Sequence, residues 1–143
     1  MKKFKFRLQT VLEHRGRIRD EAKVSLLKAN QALDEAQQEL TRLELLELQN
    51  TLSIQEVSPV ASVMLNAQIA IGLRQRIGDQ RAIIVLREED VGKAMEVYME
   101  SSKELKSVTT LKERKLQEYN QQVAEMEFAS LDEQAIQRAF KRG

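Results

Sequence analysis

A heptad-spaced run extends from Pro59 to about Met126 with no second proline to interrupt it. Steps of alternately three and four residues pick out Val60, Val63, Ala67, Ala70, Arg74, Ile77, Arg81, Ile84, Glu88, Val91, Met95 and Tyr98. They continue through Ser102, Leu105, Thr109, Lys112, Leu116, Tyr119 and Val123 to Met126. Roughly two thirds of these positions are apolar over about nine heptads, well past the three or four that separate a coiled coil from an ordinary amphipathic helix. A helix of this length cannot bury its stripe against itself. Its partner must come from the rest of the chain or from another chain.

The first third of the sequence offers that partner. Phe4, Leu8, Val11, Arg15, Ile18, Ala22, Leu26, Ala29, Leu33, Ala36, Leu40 and Leu43 form a second stripe. Its steps are heptad except for two consecutive fours at Ile18, Ala22 and Leu26, a stutter that locally unwinds a supercoil. Alanines at 22, 29 and 36 keep the seam narrow. The pattern decays around Leu46 to Leu52, and the one credible break follows at 53–58. Ser58 before Pro59 is a helix start: serine caps exposed N–H groups, and proline at the first helical position forfeits no bond. A short link between two long amphipathic helices implies an antiparallel hairpin. The expected fold is therefore all-α, a single coiled-coil domain over 1–143. It comprises a helix at about 4–52, a turn at about 53–58, a helix at about 59–129 and a tail at about 130–143.

Composition agrees with this fold and narrows the function. Of 143 residues 31% are charged and only 4% aromatic, with one proline, the balance of long helices rather than of a thick core. The net charge of +1 argues against a polyanion binder as a whole, and no nucleic-acid partner is expected. The absence of cysteine excludes disulfides and thiolate metal sites and fits a cytoplasmic protein. No segment reaches the about 18 apolar residues of a membrane span. The basic start is followed by Glu13, Arg15, Arg17 and Arg19, where a signal peptide would be apolar. No phosphate loop is present, His14 is the single histidine, and carboxylate pairs such as Glu88–Glu89 read as solvated helix faces, so neither an enzyme nor a cofactor or metal is expected.

If the turn centres near 56–58, facing residues should have numbers summing to roughly 115. Arg81 then meets Asp34 or Glu35, Arg74 lies near Glu39 and Glu44, Arg15 lies near Glu100, and Phe4 sits opposite about residue 110. The stripe from Thr109 through Tyr119 to Met126 is left without an intramolecular mate. Both chain ends are basic, with Lys2, Lys3, Lys5, Arg7 and Arg15 at the start and Arg138, Lys141 and Arg142 at the finish. They suit docking into an acidic or phosphate-bearing partner, or are simply solvated. Near the turn Leu45, Leu48, Leu52, Leu65, Ile69 and Leu73 fall off the expected seam. Such a cluster on a thin structure is either a binding surface or a locally wider core. The three glycines Gly72, Gly78 and Gly92 inside the second helix mark bends, close contacts or tolerated drift.

The chain ends carry a family resemblance. Phe4-x-Phe6-x-Leu8-Gln9-x-Val11-Leu12-x-x-Arg15 resembles the opening motif of the FliJ family of the bacterial flagellar type III export apparatus. Leu131-Asp132-Glu133-x-Ala135-x-x-Arg138 is similar to its closing segment. The resemblance implies a non-enzymatic stalk, peripheral to the cytoplasmic face of the inner membrane through its protein partners. Its terminal end, with Phe4, Phe6, Arg7, Arg15, Arg138 and Arg142, would enter the export ATPase hexamer and promote its assembly. The patch of Leu45, Leu48, Leu52, Leu65, Ile69 and Leu73 would face the export gate membrane protein, and export chaperones are further implied partners. The competing reading is a cytoplasmic coiled-coil adaptor or chaperone outside the flagellar system, its stripes bundling between chains. An intramolecular hairpin would instead be an elongated monomer.

Overall fold

The computed structural model describes residues 2–55 and 59–142, with the backbone alone at 54 and 55. Two helices account for nearly all of it: α1, Gln9–Gln55, and α2, Val60–Arg142. The chain is an all-α antiparallel hairpin, as the two stripes require. Asn50 Nδ2–H donates to the Asn66 carbonyl at 3.0 Å, and Gln80 Nε2–H donates to the Ala36 carbonyl at 2.9 Å. Both bonds join residues whose numbers sum to 116, close to the expected register.

The helix limits depart from expectation at both ends. α1 begins at Gln9, with the Leu8 carbonyl accepting from Leu12 N–H at 2.9 Å, rather than near residue 4. Four cations within 2–7 and no acid in the first turn oppose the positive end of a helix dipole, so these residues run on without helical bonds. α2 passes the expected limit at 129 and reaches Arg142. Alanine, glutamine, leucine and arginine propagate it, and Lys141 and Arg142 in its last turn suit the negative end of the dipole. At its start the Pro59 carbonyl accepts from Ser62 and Val63. Proline thus stands at the capping position rather than the first helical one, and Ser58 and the turn at 56–58 lie outside the described residues.

Contacts divide the chain into two compact units. The central unit, Asp20–Met99, holds most of the buried apolar side chains: Ala22, Leu26, Ala36, Leu43, Leu73 and Ile77. Leu43, Leu73 and Ile77 form its core cluster with Leu40 against it. The second-helix seam runs through Leu73, Ile77, Gln80, Ile84, Val91, Ala94 and Tyr98, so every other position falls one residue before the expected stripe. Arg74, Arg81 and Glu88 are consequently exposed flanking residues, not core. Arg81 pairs with Glu44 at 3.6 Å and Arg74 with Glu47 at 3.9 Å, in place of the expected partners. Both pairs are wet, and such pairs set register more than they hold the fold.

The terminal unit comprises the residues up to Arg19 and those from Glu100 onward. Its seam buries Ser101 and Val108 and is otherwise half-buried. On α1, Leu12 faces inward, while Val11 and Ile18 are 38% and 37% exposed, so here the seam falls one residue after the expected stripe.

Candidate functional site

The site is a cleft in the terminal unit, built by the non-helical residues 4–8 lying on α2. Tyr119 anchors them: its hydroxyl donates to the Lys2 carbonyl at 2.7 Å, and its ring lies 5.5 Å from that of Phe4 at 49°. This tilted pairing keeps a large apolar contact where a helix would otherwise expose both rings. About two turns back along α2, Lys112 Nζ donates to Gln9 Oε1 at 2.9 Å, and about two turns further Arg15 Nη1–H donates to the Glu104 carbonyl at 3.2 Å. Tyr119 therefore has an intramolecular mate. The residue facing Phe4 lies well beyond 110, so the unpaired part of α2 begins later than expected, after Val123, the last half-buried residue.

The resulting cleft of about 460 Å³ is walled by Phe4, Phe6, Leu8 and Tyr119, with Lys5, Arg7, Lys115, Glu118 and Gln122 around it. On the other side of the same segment a second hollow of about 390 Å³ is bounded by Phe4, Lys5, Phe6, Gln9 and Lys112. Four cations thus surround the two hollows against one carboxylate, Glu118, which pairs with Lys115 at 3.5 Å. Such a surface offers apolar contact and positive charge together. It has no metal-binding cluster of acids or histidines, and none occurs among the described residues.

The six residues expected at the docking end separate into two groups. Phe4 and Phe6 are half-buried walls of the cleft, Arg7 is exposed at its edge, and Arg15 is half-buried and spent on the Glu104 carbonyl. Arg138 and Arg142 are exposed on the last turns of α2. At 1.5 Å of helix rise per residue they stand about 29 and 35 Å beyond Tyr119, so they do not join the cleft. Every side chain of α2 after Val123 is exposed, including Phe128 at 71% and Phe140 at 88%. Lys5, Lys115 and Tyr119 were not among the expected site residues. The signal for Tyr119 was its position as the one aromatic on the terminal part of the α2 stripe.

In the central unit Leu45, Leu48, Leu52, Leu65 and Ile69 are exposed, between 44% and 57%. Leu73 is not part of that surface. It is only 9% exposed and packs with Leu43 and Ile77, because the seam runs through 73 and 80 rather than 74 and 81.

No helix among the described residues is long and apolar enough to cross a membrane. No curated protein and no solved structure matches the chain. The family described as "Flagellar FliJ protein" matches residues 4–143, nearly the whole length. The chain therefore belongs to the FliJ family, and is a component of the flagellar export system.

Proposed function

We propose that the chain is a non-enzymatic stalk of the export apparatus, whose terminal unit docks in the export ATPase hexamer and promotes its assembly. The observation that carries this reading is the cationic, aromatic cleft on residues 4–8 beside a helix that runs on past its partner with all its side chains exposed. A ring of subunits can surround such a single helix, and the cleft supplies an oriented foothold. Arg7 is the charge to test, because it is exposed at the cleft edge, whereas Arg15 also holds the Glu104 carbonyl. Arg138 and Arg142 would contact the ATPase separately, deeper along the helix. Arg7→Glu with Lys5→Glu should lower stimulation of ATPase assembly at least about tenfold, as loss of a desolvated charged contact does. Helicity by circular dichroism should stay unchanged. Unaltered stimulation would refute the docking end.

The exposed residues Leu45, Leu48, Leu52, Leu65 and Ile69 are the surface offered to the export gate membrane protein, with Leu73 supporting them from beneath. Leu48→Asp with Ile69→Asp should abolish gate binding without unfolding the hairpin, and gate affinity equal to wild type would remove this assignment. Export chaperones are further partners of the same exposed faces. The protein would act in the cytoplasm, held at the inner membrane by these partners.

A further inference from the structure

The outward face of α2 in the central unit carries a pattern that the hairpin does not use. Met64, Ile71, Gly78, Val85, Gly92 and Met99 recur every seventh residue, and in a helix of the central unit this spacing places them on one face. All six are exposed, Ile71 at 66% and Val85 at 53%. Glycine weakens a helix relative to alanine, yet a Cβ added at Gly78 or Gly92 meets nothing within 4 Å, and neither has a positive φ. Nothing within the chain requires these glycines. On an otherwise apolar face they are recesses, and their spacing alternates with large side chains.

We infer that this face binds the same face of a second copy of the chain, antiparallel, about a two-fold axis between Arg81 and Ala82. In that register the partners have numbers summing to 163. Ile71 enters the recess at Gly92 of the other copy, Val85 enters the recess at Gly78, and Met64 meets Met99, with each contact made twice as a two-fold interface demands. Charge favours the same arrangement. The flanks carry Arg74 and Arg81 on one side of the axis and Glu88 and Glu89 on the other, so reversal brings Arg74 of one copy beside Glu89 of the other. Asp79 and Arg87 run against this trend, and Arg87 is held by Asp90 of its own helix at 3.1 Å. A parallel, in-register pair would instead stack glycine on glycine and Arg74 on Arg74, leaving voids and like charges. The complementarity of this face to itself, in shape and in charge, is what selects a second copy over another helix.

The chain has no cysteine, which makes cross-linking selective. A Met64→Cys chain mixed with a Met99→Cys chain should form a disulfide-linked pair on mild oxidation, while neither variant alone should do so. Sedimentation equilibrium at up to about 100 μM should register a dimer, since a Kd at or below that level populates it. Gly78→Leu with Gly92→Leu fills both recesses and should weaken association at least about tenfold, with circular dichroism confirming intact helices. Arg74→Glu should weaken it and the double variant Arg74→Glu with Glu89→Arg should restore it. A monomer throughout that concentration range, homodimeric cross-links of Met64→Cys alone, or association indifferent to the glycine replacements would each overturn the inference. None of these readouts involves the export ATPase.

Discussion

The central and terminal units are built from the same two helices but hold together by different means. Between Asp20 and Met99 the seam is closed by aliphatic side chains, with Leu43 at 3% and Ile77 at 4% exposure. In the terminal unit Arg15, Lys112 and Tyr119 cross between the two arms of the hairpin by hydrogen bonds, and among the described residues only Ser101 and Val108 are buried. Aliphatic burial supplies stability without direction. Hydrogen bonds and a ring pair supply direction with little net stability. The central unit thus holds the hairpin closed, and the terminal unit fixes where residues 2–8 lie while leaving its polar and aromatic surface available.

The largest expected effect lies in the central seam. Leu43→Ala should lower unfolding free energy by about 2–4 kcal/mol, the cost of removing a buried leucine from a core that partly relaxes, measured by urea denaturation. A loss no larger than that of an exposed position such as Leu27 would show that the aliphatic cluster does not hold the hairpin. Tyr119→Phe comes next, removing one hydrogen bond to the Lys2 carbonyl at a cost of about 1 kcal/mol. The effect should be local, with faster amide exchange at residues 4–12 and no change between 20 and 99. Gly16→Ala and Gly72→Ala should each stabilise by about 0.5–1 kcal/mol through helix propensity, because an added Cβ meets nothing within 4 Å at either site. Destabilisation at one of them would reveal a close contact that the hairpin does not contain.

The smallest effect is electrostatic. Arg42 donates to Glu39 at 2.6 and 2.9 Å. This hydrogen bond, and then the nearby charges of Arg42 and Arg76, hold the Glu39 carboxyl below its ordinary value and raise the Arg42 guanidinium. A carboxyl bound more tightly as an anion in the folded chain stabilises above its unfolded pKa and loses that contribution as pH falls through its lowered folded value. Glu39→Gln should therefore leave a melting temperature that declines slightly less on acidification than that of the unaltered chain. The pair is largely solvent-exposed, with side chains 57% and 41% accessible, so a large difference would contradict this account.

Two stripes, one break and an antiparallel pairing were legible in the sequence because heptad spacing is a strong, repeated signal. What the stripes could not decide was which of two adjacent residues turns inward. Leu73 with Gln80 and Arg74 with Arg81 satisfy nearly the same periodicity, and packing of Leu73 against Leu43 settles it. That single-residue choice moved Leu73 from the expected gate patch into the core. At the chain ends periodicity was misleading for another reason. Phe4 fits the stripe, but the cations around it disfavour a helix start, and its contact with Tyr119 does not depend on a helical register. The separation of Arg138 and Arg142 from the cleft follows from helix length, which the expected limit at 129 had cut short.

The division of labour between the two units is tested most directly by amide hydrogen exchange of the full chain with and without the purified export ATPase hexamer. The account predicts new protection at residues 4–8 and from 115 to 142, with none between 20 and 99. Protection confined to 20–99, with the terminal unit unchanged, would contradict it.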